Sequence, residues 1–117
     1  MAKNEGAVKN DVFGFGEKNP NVAKRFSGAS YLKGLVVGDN NVDVSVTNVN
    51  FEPGCHNNWH IHHNGFQIIM CTAGEDWYQE EGKPAQLLKP GDVVTIHEGA
   101  KHWHGATKDS WFKSIGI

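Results

Sequence analysis

The chain has 117 residues and a formal net charge of −2, because 11 basic residues stand against 13 acidic ones. This length suits one domain and excludes a second domain of ordinary size. The sequence has no basic stripe of the kind that binds nucleic acid and no apolar run of membrane-spanning length. Its first twenty residues lack the apolar segment of a signal peptide, so we expect a cytoplasmic protein.

The beginning of the chain is polar and weakly patterned. Residues 1–25 are expected to form an N-terminal arm or a loose segment, and residues 26–117 one barrel domain. Residues 30–37 favour a first strand, which ends at a turn over residues 38–41. The sequence therefore places the folded domain after the arm.

The next segment alternates between apolar and polar side chains. Over residues 42–52 the apolar positions keep one parity up to Val46 and switch to the other parity at Val49 and Phe51. Because alternate residues of a strand face opposite ways, such a switch predicts a β-bulge or a bend from one sheet to another.

The second half of the chain contains further short extended segments between turns rich in glycine and proline. Strands are predicted at residues 59–63, 66–73, 75–79, 85–88, 93–97, 102–105 and 111–117. No ten-residue stretch shows a convincing helical period. About eight or nine short strands predict an all-β sandwich or barrel.

Two histidine pairs carry the functional signal. His60 and His62 flank one isoleucine, and His102 and His104 flank one tryptophan. Residues two apart on a strand share a face, so each pair projects to one side. Imidazoles bind divalent metals, and the side chain of Gln67 adds an amide oxygen. The sequence predicts a metal centre if the two strands face each other.

Glycines at fixed offsets from these histidines resemble the two sequence motifs of the cupin family. The first motif is matched by Gly54, His60, His62, Gln67 and Gly74, and the second by Gly91, His97, Gly99, His102 and Ala106. The match spans residues 51–112. The resemblance implies a double-stranded β-helix, the jelly-roll cupin barrel, with one metal ion inside.

The chain also resembles a subgroup of small single-domain bacterial cupins of the cupin_2 type. The segments FEPGCHNNWHIHH, DWYQEEGKPAQ and GAKHWHGA carry this likeness. Some such relatives are manganese-dependent hydroxynitrile lyases, and others are associated with carboxymuconolactone decarboxylase. The resemblance implies one divalent ion (manganese, iron or zinc, with manganese favoured) on His60, His62, Gln67 and His102.

Several positions depart from the usual family pattern. Gln67 stands where glutamate is common, His97 replaces proline, and Ala106 replaces asparagine. Ser114 stands where many relatives carry an inward histidine. Three neutral imidazoles and a neutral amide add no negative charge to the ion, so a metal held there keeps its Lewis acidity and favours an anionic partner.

His104 lies two residues beyond the last proposed ligand and on the same face. Its functional interpretation is general acid–base catalysis on a substrate bound at the metal. The alternative is a hydrogen-bonded residue that supports the ligands. His63 and His97 are expected to point away from the metal, and His56 is expected to be an exposed loop histidine.

Three functions remain open from the sequence. The first is a metal-dependent lyase or decarboxylase-type enzyme that acts on a small oxygenated or anionic substrate. The second is an iron-dependent dioxygenase, and the third is a non-enzymatic module that binds a metal or small ligand. A homodimer or higher homo-oligomer is also expected, because the strand faces opposite the histidines are strongly apolar. Those faces carry Trp59, Ile61, Ile68, Met70 and Trp103.

Overall fold

The computed structural model describes residues 2–19, 26–38, 41, 43–63 and 65–117. Its elements in chain order are α1 (Glu5–Lys9), β1 (Glu17–Lys18), β2 (Phe26–Ser27), β3 (Ser30–Val36), β4 (Val46–Phe51), β5 (His56–Asn57), β6 (Gln67–Gly74), β7 (Asp76–Glu80), β8 (Gln86–Leu88), β9 (Val93–Ile96), β10 (His102–Ala106) and β11 (Phe112–Gly116). The strands form a six-stranded sheet in the order β1-β3-β4-β11-β6-β9 and a five-stranded sheet in the order β2-β5-β10-β7-β8. The paired strands are antiparallel throughout the named elements, and the predicted all-β jelly roll is confirmed.

Two local predictions differ from the structure, and a third falls partly outside the described residues. The segment predicted as a strand at residues 59–63 is an extended connection, held to β10 by an isolated bridge between His60 and His102. The parity switch of residues 42–52 marks the start of β4 at Val46, and the register shift lies in its partner β3, between Gly34 and Val36. The predicted turn at residues 38–41 falls partly outside the described residues, as does the first part of the alternating segment.

The two sheets enclose an apolar core that fills one end of the barrel. Because alternate residues of each strand face inward, the core draws single residues from many strands. Its buried members are Phe51, Cys55, Ile69, Cys71, Tyr78, Leu88, Val94, Ile96, Ala106 and Phe112. Burial raises the pKa of both cysteine thiols to about 12, so they pack as apolar groups and are not ionised.

Residues 2–15 of the N-terminal arm pack over the outer face of the six-stranded sheet, and Glu17–Lys18 extend that sheet as β1. The short helix α1 of the arm was not predicted, because five residues are too few to show a period. Val8 on this helix is fully buried and packs in a small cluster with Ala73 and Trp111. The ring of Phe15 lies 4.3 Å from that of Tyr31, which packs against the same cluster.

Polar side chains of the sheet also lie under the arm. The Lys113 ammonium group, on β11, donates to the Asp11 carboxylate at 3.0 Å and to the Asn48 side-chain oxygen. Asn48 in turn donates to the backbone carbonyl of Gly14. Lys113 and Asn48 are fully buried, so the arm supplies the partners that water would otherwise provide.

Other apolar side chains remain exposed on the described surface. Phe66 and Val93 are each 59% exposed, and Trp59 is 45% exposed. The homo-oligomer expected from the apolar faces stays a prediction, which a mass measurement in solution tests. None of the helices in the described ranges has the length and apolarity that a membrane crossing requires.

Candidate metal centre

Three histidines from two distant parts of the sequence meet beside the cavity. His60 and His62 come from the extended connection after β5, and His102 is the first residue of β10. One ligand atom from each imidazole lies within 4.8 Å of those of the other two. The His60–His102 bridge holds the two segments side by side through backbone hydrogen bonds of 2.9 and 3.0 Å. Backbone pairing therefore sets the distance between these ligands.

Backbone carbonyls orient two of the imidazole rings. His60 Nδ1 lies 2.7 Å from the carbonyl oxygen of Asn58, and His102 Nδ1 lies 2.9 Å from that of Ala100. A carbonyl oxygen only accepts, so Nδ1 carries the proton in both rings. The lone pair then resides on Nε2, the nitrogen that remains for a metal ion.

The buried atoms at the cavity end fit a metal ion. His62 Nε2, His102 Nε2 and Gln67 Oε1 are buried and find no hydrogen-bond partner among the described residues. They are three of the six such side-chain atoms in that part of the chain. Buried polar atoms without partners are costly, and a divalent ion satisfies imidazole nitrogen and amide oxygen together.

Burial also sets the charge of one proposed ligand. The imidazole of His102 is fully buried, and this burial, opposed by the Ala100 carbonyl and aided by the neighbouring His60 and His62, lowers its pKa to about 4. The ring is therefore neutral near pH 7. A neutral imidazole is the form that binds metals.

His104 lies outside the cluster and has a different partner. Its Nδ1 lies 3.0 Å from the Asp76 carboxylate, and its ring stacks on Phe51 with centroids 5.1 Å apart. Asp76 is fully buried; burial raises the pKa of its carboxyl, and His104 beside it opposes the rise. With Nδ1 turned to the carboxylate, Nε2 is the ring nitrogen available for proton transfer.

His60, His62, Gln67 and His104 line one cavity of about 630 Å³, which is within the size range of small-molecule sites, and His102 lies beside His60 and His62. One part of its wall is polar, with His60, His62, Gln67, His104 and Ser114. The rest includes the apolar side chains of Leu32, Val49, Phe51, Trp59, Ile61 and Ile69. The prediction that Trp59 and Ile61 lie on the outer face opposite the histidines is therefore wrong, because this segment is not a strand and its residues do not alternate between two faces. None of the described lining residues is lysine, arginine, aspartate or glutamate.

The structure separates the predicted site residues from the other histidines. His60, His62 and His102 form the cluster, and Gln67 lines the cavity next to it. His56, His63 and His97 are exposed and lie outside the cluster. The four-ligand assignment itself stays a prediction that metal analysis tests.

Two residues near the site were not predicted from the sequence. Asp76 pairs with His104, and Asn57 accepts a hydrogen bond from the His104 backbone N–H at 2.9 Å. They lie 28 and 47 positions from His104, and no spacing rule links them. The antiparallel pairing of β10 with β7 and β5 brings them together.

The sequence profile of the Cupin domain family matches residues 47–113, more than half of the chain. A relative named (R)-mandelonitrile lyase, from Granulicella tundricola, is 41% identical over 92 residues. The aligned region covers 79% of this chain and 70% of that protein.

Solved structures show the same likeness. A cupin-like protein from Thermotoga maritima is 44% identical with a TM-score of 0.83; the alignment covers 92% of this chain and 79% of that one. A predicted oxalate decarboxylase from the same organism has a TM-score of 0.75 at 20% identity, covering 86% of this chain and 87% of that one. At that identity the second likeness shows the fold alone.

Proposed function

The chain belongs to the cupin family, and on that basis we propose that it is a metal-dependent lyase that cleaves small neutral hydroxynitriles. The observation that carries this proposal is the arrangement of one cavity. Two of the three imidazoles that can share an ion, His60 and His62, line it, and so does His104, which is held by a buried carboxylate. The 41% identical relative named (R)-mandelonitrile lyase supports the same reaction class.

The cavity wall favours a neutral substrate with an apolar substituent. Phe51, Ile69 and Trp59 offer apolar surface to an aromatic or aliphatic group. The described lining residues include no cationic side chain. A dianionic substrate, such as a small diacid, would therefore find no ion pair for its carboxylates in this wall. A hydroxynitrile needs none, because it is uncharged before the reaction.

The proposed ligands are His60, His62, Gln67 and His102, and manganese is the proposed ion. An ion bound there supplies Lewis acidity to the substrate hydroxyl oxygen and lowers the pKa of that hydroxyl. Because the four donors are neutral, the protein does not reduce that effect with its own negative charge.

His104 is the proposed general base. Its Nε2 accepts the hydroxyl proton, while Asp76 keeps Nδ1 protonated and the ring oriented. As the carbonyl forms, the bond to the nitrile carbon breaks and its electron pair leaves with cyanide. His104 then returns the proton to cyanide, so the products are an aldehyde and hydrogen cyanide and no oxidant is consumed.

The test is turnover of racemic mandelonitrile by metal-loaded protein under nitrogen. We expect His104→Asn to lower kcat about 100-fold with its metal content unchanged, the usual size of a lost general base. The matched control is His97→Asn, since His97 is exposed and outside the cluster. Oxygen consumption with an iron-loaded sample would favour a dioxygenase instead, and an inactive but metal-loaded protein would favour a binding module.

A further inference from the structure

Asn57, the last residue of β5, lines the cavity and has a fixed amide orientation. Its side-chain Oδ1 accepts a hydrogen bond from the backbone N–H of His104 at 2.9 Å. A backbone N–H only donates, so this contact identifies the oxygen end of the amide. The NH₂ end, with two donor hydrogens, points away from that contact.

The surroundings of Asn57 tie it to both parts of the proposed site. Its side chain bonds to the backbone of His104, whose ring lines the same cavity. The next residue, Asn58, offers its carbonyl oxygen to His60 Nδ1 at 2.7 Å. Asn57 itself is only 9% exposed, so its donor hydrogens lie in a site where water competes weakly.

We infer that the Nδ2 group of Asn57 donates a hydrogen bond to the substrate atom that becomes negative during cleavage. This inference rests on the proposed function, in which the charge ends on the cyanide leaving group. A neutral hydrogen-bond donor that the folded protein already holds in position stabilises this developing charge more than it stabilises the uncharged nitrile. Asn57 is then a catalytic residue that also positions His104 through its backbone.

Asn57→Asp tests the donor with little change of shape. The new carboxylate keeps an oxygen for the His104 N–H and replaces the NH₂ donor by an acceptor. The matched control is Asn19→Asp, which adds the same charge at another buried asparagine that lines the same cavity. Azide serves as the probe, because it is a linear anion like cyanide, and its binding to metal-loaded protein is measured by calorimetry.

We expect Asn57→Asp to weaken azide binding at least about 10-fold, while Asn19→Asp stays within about threefold, since loss of one fixed donor in a dry site has effects of this order or larger. Metal content is expected to equal that of the parent in both variants. The inference is overturned if Asn57→Asp binds azide as well as the parent, if both variants lose binding equally, or if the parent binds no azide.

A second variant decides the matter if Asn57→Asp does not fold. Asn57→Ser has a shorter side chain that cannot meet the His104 N–H and also reach into the cavity, so we expect the same loss of azide binding.

The lyase proposal and the donor proposal can fail independently of each other. If the parent cleaves no hydroxynitrile but these variants lose azide, the lyase proposal fails and the anion donor stands. If the parent cleaves hydroxynitrile and the variants bind azide normally, the donor fails alone.

Discussion

The metal end of the cavity and the arm-covered face of the six-stranded sheet both bury polar side chains, but they satisfy them differently. Under the arm, the Lys113 ammonium group has a carboxylate and an amide oxygen as partners. Around the histidine cluster, His62 Nε2, His102 Nε2 and Gln67 Oε1 have none among the described residues. Three such atoms of metal-binding types around one histidine cluster indicate a site for an ion, whereas the single unpartnered Asn50 Oδ1 under the arm does not.

The largest expected effect concerns the cavity end. His102→Ala removes one imidazole of the cluster, so we expect bound metal to fall from about one ion per chain to a small fraction of that. Elemental analysis after dialysis measures it. In the parent, added metal is also expected to raise Tm, because an ion that binds only the folded state stabilises it.

His97→Ala is the control for this substitution, since His97 is exposed and lies outside the cluster. It is expected to keep the full metal content and the rise in Tm. Full metal content in His102→Ala would show that the unpartnered atoms do not hold the ion.

The arm-covered face is expected to respond in stability alone. Asp11→Ala leaves the Lys113 ammonium without its carboxylate, and the two side chains are only 19% and 1% exposed. Breaking such a pair is expected to lower the free energy of unfolding by about 3 kcal/mol with metal content unchanged. Urea denaturation of metal-free protein measures the loss.

A second ion pair on the same arm provides the comparison. Glu5 pairs with Lys9 on α1, but both side chains are nearly half exposed. Glu5→Ala is therefore expected to cost no more than about 0.5 kcal/mol. Equal losses in the two variants would mean that the buried pair does not hold the arm.

The apolar contact of the arm is expected to have a smaller effect. Val8 is fully buried against Trp111, so Val8→Ala is expected to lower the free energy of unfolding by about 2 kcal/mol. Val12, on the same arm, is 88% exposed, and Val12→Ala is expected to change it by less than about 0.5 kcal/mol. A matching loss in both variants would contradict the docked position of α1.

The smallest expected effect is the change with pH in what Asp11 contributes to the free energy of unfolding. Burial tends to raise the pKa of the Asp11 carboxyl, but the Phe13 N–H and the Lys113 ammonium together hold this pKa below its ordinary 3.8. A lowered pKa means that the stabilisation is complete above that value and is lost as pH falls through the lower folded value. The stability gap between the parent and Asp11→Ala should stay constant between about pH 7 and 5 and shrink only in stronger acid. A gap that shrinks already between those two pH values would contradict this assignment.

Much of the fold could be predicted from short-range patterns. Alternation and turns predicted most of the longer strands, and the glycines that mark the two motifs adopt the left-handed backbone that turns require, with φ of +77° at Gly54 and +98° at Gly91. The same offsets predicted the histidine cluster. The histidine spacing is informative even outside a strand, because the imidazoles of His60 and His62 still come close enough to share an ion.

The parts that could not be predicted depend on contacts between distant residues. Asn48, Asn50 and Lys113 alternate with inward-facing residues and would be expected to face solvent on an open sheet. They are buried because the arm folds over them, and no local pattern in the polar arm indicates where it docks. Asp76 was missed for the same reason, since only strand pairing brings it to His104.

The most direct test of the central claim, that the unpartnered end of the cavity is the metal centre of a lyase, is cyanide release from racemic mandelonitrile under nitrogen. Metal-stripped protein is compared with the same sample reloaded with manganese, iron or zinc. We expect cyanide release only after reloading with metal, and we expect this release to need no oxygen. The two enantiomers are expected to be consumed at unequal rates. Release at the same rate from stripped protein, or none with any of the three metals, would contradict the claim.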